Sequence, residues 1–180
     1  DILDRGLIAA IDVVGKRMAA GQAYIPEVLL AARAMSAAVG LLEPHLAASG
    51  DTQRGKVVIG TVTGDMHDIG KNLVVTMLKG VGFEVVDLGV TVSLERFCEA
   101  VEQFEPDVLG LSALLTTTMM EMREIIRALD ARGLRQRCKV LVGGAPVSEQ
   151  FARQIGADGF APDAFEAVAL AKRLTAAQPA

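Results

Sequence analysis

The stretch Lys56–Gly80, KVVIGTVTGDMHDIGKNLVVTMLKG, decides the fold. It opens on an apolar, β-branched run, Val57–Val62, breaks into the polar segment Gly64–Asn72, and resumes as a helical pattern over 69–80. So short and uniformly apolar a run reads as a strand buried on both faces, which is where a parallel sheet puts its strands. The same unit recurs down the chain. Candidate strands follow at Glu84–Leu88, Val108–Ser112, Val140–Val142 and Gly159–Ala161, with helical patterns at about 93–103, 118–132, 148–155 and 163–174. Five β/α units predict an α/β fold: a flavodoxin-like (Rossmann-like) doubly wound five-stranded parallel sheet with strand order 2-1-3-4-5.

Upstream, residues 1–50 read as a helical cap. Leu3, Leu7, Ile11, Val14 and Met18 recur at helical spacing until Gly21. A second helix starts at Pro26 and carries Val28, Leu29, Ala32, Met35, Val39 and Leu42, and Pro44 within it could kink or divide it. The polar run Ser49–Gly55 is the expected linker to an α/β domain over 55–180. Because the chain opens on Asp1 already in a helical pattern, an N-terminal piece is expected to be missing.

Composition bounds the function. Of 180 residues, 51% are apolar and only 4% aromatic, so Ala, Val, Leu and Ile must build the core. The net charge is −4 with no basic run, which leaves no electrostatic footprint for nucleic acid or an anionic membrane. Cys98 and Cys138 stand alone, so neither a zinc knuckle nor a disulfide framework is indicated; two partly buried thiols in a reducing cytoplasm are expected. No apolar stretch is expected to reach the roughly 18 residues of a membrane span.

A parallel sheet brings every strand's C-terminal end to one edge, and ligands bind there where the strand order reverses. At that edge the first strand runs into Asp65-Met66-His67-Asp68, the third into Ser112-Ala113-Leu114-Leu115-Thr116-Thr117-Thr118, and the fourth into Gly143-Gly144. Each part has an ordinary alternative. Asp65 or Asp68 could cap the next helix, Thr116–Thr118 could form an N-cap cluster, and Gly143-Gly144 could be a plain turn. A histidine in such a loop could serve as a general base, a zinc ligand or a surface residue, but no further ligands accompany it for zinc. Together the three elements favour a site.

The motif Gly64-Asp65-Met66-His67-Asp68-Ile69-Gly70, the Ser112-Ala113-Leu114 element and Gly143-Gly144 resemble the Asp-x-His-x-x-Gly, Ser-x-Leu and Gly-Gly signature of cobalamin-binding domains. Longer stretches resemble the corrinoid proteins of methanogen and acetogen methyltransferase systems and the cobalamin module of methionine synthase, helical cap included. The resemblance implies a cobalamin or related corrinoid held base-off with His67 as lower axial ligand of cobalt. Asp65 would bond the far nitrogen of His67, and Thr118 would stand where a serine continues that relay. Ser112, Leu114 and Thr116 match positions that receive the detached nucleotide tail, with Gly70, Gly143 and Gly144 giving it room, and Ala164 matches one that meets the corrin amides. Met18 and Ile25 fall where bulky apolar residues cover the other cobalt face, and Asp4 where an acidic residue reaches the corrin rim.

The implied function is a cytoplasmic methyl carrier rather than a complete enzyme. Its implied partners are a substrate:corrinoid methyltransferase, a methyl-corrinoid:acceptor methyltransferase acting on a thiol or tetrahydrofolate, and a reductive activase, with no nucleic acid or membrane. Two rivals share the motif: a cobalamin-binding sensor or regulator, and the small subunit of an adenosylcobalamin-dependent mutase.

Overall fold

The computed structural model describes residues 2–49 and 54–176. Five strands, β1 (Lys56–Thr61), β2 (Glu84–Asp87), β3 (Val108–Ser112), β4 (Lys139–Gly143) and β5 (Gly159–Ala161), form one sheet in the order β2-β1-β3-β4-β5. Every pairing is parallel, so all five carboxyl ends reach one edge. There the register aligns Thr61, Ser112, Gly143 and Ala161 on successive strands.

The helices are α1 (Ala9–Ala19), α2 (Ile25–Ser49), α3 (Ile69–Gly80), α4 (Leu94–Phe104), α5 (Met120–Ala131), α6 (Glu149–Ile155) and α7 (Ala164–Ala176). Alternating strand residues feed two cores. Val58, Leu109, Val140 and Val142 pack with Phe97, Met122, Ile125 and Phe151 of α4, α5 and α6, while Val57, Val108 and Leu141 pack with Leu73, Leu78 and Val168 of α3 and α7. Burial on both faces is why these strands carry continuous apolar runs. Ser93 and Ser148 cap α4 and α6 by accepting the Arg96 and Phe151 N–H, each at 3.2 Å. Cys98 and Cys138 are buried more fully than the partial burial expected, and burial pushes both thiols up, Cys138 to about 11.

The chain opens in a π-helical turn, Ile2–Ile8, that runs into α1. α1 ends as predicted before Gly21, whose φ of +69° suits a residue without Cβ. Val28, Ala32 and Met35 of α2 are buried, and Met35 lies over Gly80 of α3. Gly15 of α1 faces the Phe165 ring of α7 so closely that a Cβ would overlap it. The cap therefore packs on the α3/α7 side, above the second core.

One expectation fails here. α2 continues past Pro44 as one element, and its span Ile25–Leu42 is long and apolar enough to cross a membrane by length and composition alone, contrary to the expected absence of such a stretch. One stripe of that span is committed to the protein's own core; Leu30 and Leu41, on the other side, are exposed. The Asp4 side chain and most of the linker, Gly50–Gln53, lie outside the described residues.

Candidate functional site

β1 ends at Thr61, Val62 makes one isolated bridge to Val92, and the chain then turns through Gly64 at φ +75°. That turn drops Asp65 into the interior, fully buried, and sends Met66 and His67 outward. Asp65 Oδ1 lies 2.9 Å from His67 Nδ1 and accepts the His67 N–H at 3.1 Å. Its Oδ2 accepts the Leu114 N–H at 2.7 Å, the Leu115 N–H at 3.3 Å and the Thr118 hydroxyl at 2.7 Å. Asp65 therefore binds the β1–α3 loop to the β3–α5 loop, across the pair of strands where the order reverses.

Burial alone would raise the Asp65 carboxyl. The Leu114 N–H, the Thr118 hydroxyl and the bonds from His67 outweigh it and hold the group well below the usual carboxylate range. An ionised Asp65 accepts only, so the bond at His67 Nδ1 must be donated by the imidazole. In the neutral imidazole this places the proton on Nδ1 and makes Nε2 the nitrogen with the lone pair, on a side chain that is 54% exposed. The arrangement is that of a ligand nitrogen presented by a buried carboxylate.

Asp68 stands at the N-cap position of α3 but makes no side-chain cap bond; its Oδ2 instead accepts Asn72 Nδ2 at 2.9 Å. The N-cap alternative for Thr118 fails too: Met119, without a side-chain cap bond, holds the N-cap position of α5, and the Thr118 hydroxyl donates to Asp65. Ser112 is half-buried beside Thr61 and Gly143, and Thr116 is exposed in the loop beyond. Gly143 and Gly144 serve the chain's own packing first. A Cβ on Gly143 would sit 3.0 Å from the Ala161 carbonyl oxygen, and one on Gly144, at φ +128°, would collide with the Ala113 carbonyl. Gly70 differs, since a Cβ there would meet open space.

Ala164 opens α7, buried, next to a cavity of about 630 Å³ between α1 and α7 that Met18, Asp163 and Phe165 help to line. Met18 thus shares a cavity with Asp163 and Phe165, the residues on either side of Ala164, while Ile25, the first residue of α2, is half-exposed. β1 and β5 are three strand spacings apart, about 14 Å, so His67 and Ala164 mark opposite ends of a broad ledge. Sequence reading missed three contributors. Thr61 donates its hydroxyl to the His67 carbonyl at 3.0 Å, Leu115 adds its N–H to Asp65, and Lys71 is buried with its ammonium 2.7 Å from both Asp87 carboxylate oxygens. Met66, Ile69, Leu114, Leu115 and Met120 also form an exposed apolar rim beside His67.

Residues 55–169 match a family model described as the B12 binding domain, and residues 1–43 match a second model of the same description. The chain belongs to the B12-binding domain family. This B12-binding chain is 46% identical over 175 residues to dimethylamine corrinoid protein 2 of Methanosarcina acetivorans, an alignment covering 97% of the chain and 81% of that relative. Its fold matches the crystal structure of a cobalamin-binding protein from Desulfitobacterium hafniense with a TM-score of 0.85 at 37% identity, covering 97% of this chain and 83% of that one. It also matches a chain in the crystal structure of the methanol:cobalamin methyltransferase complex of Methanosarcina barkeri, with a TM-score of 0.81 at 31% identity, covering 99% and 68% of the two chains.

The donor set fits the cofactor that the family name implies. Among the described residues no three His, Cys, Asp or Glu side chains gather to hold a bare metal ion. A single oriented imidazole suits a metal whose other positions are filled by a macrocycle.

Proposed function

We propose that the chain is a corrinoid methyl carrier, a cytoplasmic protein that presents a cobalamin or related corrinoid to partner methyltransferases. When bound, the corrinoid supplies a cobalt centre that can accept and release a methyl group. The protein's own residues supply what surrounds it. His67 Nε2 is the ligand toward cobalt, Asp65 holds the ring by Nδ1–H, and Thr118 with the Leu114 N–H keeps Asp65 ionised. Gly64, Met66, Asp68, Ile69 and Gly70 shape one wall of the tail's slot; Ser112, Leu114 and Thr116 shape the other. Gly143 and Gly144 let the neighbouring backbone close up. Ala164, Met18 and Ile25 would contribute apolar contacts to the bound corrinoid.

The observation that carries this reading is the half-exposed His67 whose far nitrogen is tied to a fully buried, ionised carboxylate. The proposed partners are a methyltransferase that loads the methyl group from a small methylated amine or alcohol, a second that unloads it to a thiol or tetrahydrofolate, and a reductive activase; the dimethylamine corrinoid relatives and the methanol:cobalamin methyltransferase complex support a methyltransferase partner. Purified protein incubated with hydroxocobalamin should stay coloured through dialysis, and His67→Ala should change the cobalt absorption spectrum. Loss of all colour from the wild type on dialysis would overturn the proposal. Methyl transfer on and off the cobalt should need separate partner enzymes; demethylation of substrate by this chain alone would count against a carrier.

A further inference from the structure

Asp65 holds the His67 ring from the β3 side. The His67 backbone is held from the other side, through a path of bonds that begins at a buried lysine outside the motif's named positions. Lys71 lies in the first turn of α3 with a side chain only 1% exposed. Its ammonium donates to both carboxylate oxygens of Asp87 and to Asn72 Oδ1, all at 2.7 Å. Asp87 ends β2, and its Oδ1 also accepts the Gly89 N–H at 2.9 Å. Gly89, at φ +86°, returns its carbonyl to the Thr61 N–H at 3.0 Å, and the Thr61 hydroxyl donates to the His67 carbonyl at 3.0 Å. Beside this path the Thr91 N–H donates to the Asp65 carbonyl at 3.0 Å, with Thr91 itself at φ +46°.

We propose that Lys71, acting through Asp87, is a positioning residue for His67. The argument rests on cost and connection. A lysine this buried is tolerated only when paired and fully hydrogen-bonded, and an apolar residue would fill the same space with less desolvation. Here the pair sits where β2, α3 and the loop after β2 meet, and that loop contacts both Asp65 and Thr61. Without the ammonium, Asp87 loses the partner that fixes its carboxylate, and Gly89 loses a fixed acceptor. The loop then stops defining where the His67 carbonyl, and hence the ring, is held. The ring and N–H of His67 are thereby held by Asp65, which the loop after β3 braces, and its carbonyl by Thr61, which the loop after β2 braces.

The inference rests on His67 being the ligand presented at this edge, and the test separates the two. Lys71→Met alone strands the Asp87 charge and is expected to lower stability, so the informative variant is Lys71→Met/Asp87→Leu, which removes both charges. Two readouts are taken. In cofactor-free protein, amide hydrogen exchange at Gly89 and Thr61 should quicken about tenfold in the double variant, the factor expected from losing one hydrogen bond, and the His67 ring should show averaged rather than single 15N signals. In protein loaded with hydroxocobalamin, the fraction of cobalt bearing an axial imidazole should fall severalfold while the melting temperature stays near the wild type's. A double variant with wild-type exchange, ring signals and imidazole fraction overturns the role of Lys71. If instead the wild type takes up no corrinoid, the proposed function falls, and the cofactor-free readouts still decide the positioning role.

Discussion

Thr118→Val removes one hydroxyl from a fully buried carboxylate while keeping the side chain's shape. The lost bond is 2.7 Å long and charge-assisted, and bonds of that kind contribute about 1.5–3 kcal/mol. Asp65 Oδ2 keeps its bonds from the Leu114 and Leu115 N–H, so the carboxylate is weakened rather than orphaned. For a chain of this size, 1 kcal/mol moves the melting temperature by about 2–4 °C, which puts the expected fall at about 3–12 °C at pH 7. Thr118→Ser keeps the donor and should lose only the buried methyl, about 0.8 kcal/mol. The pH dependence carries a sign. The folded Asp65 carboxyl is held low, so its contribution is complete above the unfolded value, about 3.9, and declines as pH falls below it. The gap between wild type and Thr118→Val should therefore be flat from pH 7 to about 5 and narrow below about 4. Chemical unfolding across that range measures it. A Thr118→Val protein within about 0.5 kcal/mol of wild type at pH 7, or a gap that widens in acid, would refute the account of Asp65 as an ionised hub.

The two glycine classes at the edge separate by stability. Gly144→Ala sets a Cβ against the Ala113 carbonyl at a positive φ and should cost about 2–4 kcal/mol, read from the urea midpoint. Gly70→Ala meets open space in the first turn of α3 and should leave stability unchanged or raise it by up to about 1 kcal/mol. It should nonetheless weaken corrinoid retention on dialysis; retention equal to the wild type's would remove Gly70 from the site.

How much of this was legible depends on whether a feature is local. The strands could be read because burial on both faces leaves an unbroken apolar run, and β5 survives as three residues by pairing with β4 alone. Asp65 and His67 sit two residues apart in one motif, and their bond needs only the turn at Gly64. Lys71 and Asp87 are 16 residues apart and look like two surface charges until β2 is placed beside β1. Thr61 reads as the last residue of a strand, and nothing in the run KVVIGT says its hydroxyl will close the His67 loop. Asp68 holds the N-cap position that its sequence context suggests, but its carboxylate accepts from the amide of Asn72, one turn on, a pairing that capping statistics do not reveal.

The polar and apolar parts of this edge divide the work. Asp65 bonds the ring of one half-exposed imidazole that could otherwise rotate freely in solvent, and Thr61, at the end of the path from Lys71, bonds the backbone carbonyl of the same residue. Fixing it costs side-chain entropy that an unliganded surface histidine would not return. Around it Met66 and Ile69 are 78% and 71% exposed, at a place where the fold needs neither of them to be apolar. Full burial of such side chains is worth about 1.5–3 kcal/mol each, a gain realised only when something covers the ledge. Orientation is thus prepared in the free protein, and much of the affinity is held back in an uncovered rim. That is the order expected of a carrier that must hold a large cofactor tightly while keeping one metal–nitrogen bond in a defined direction.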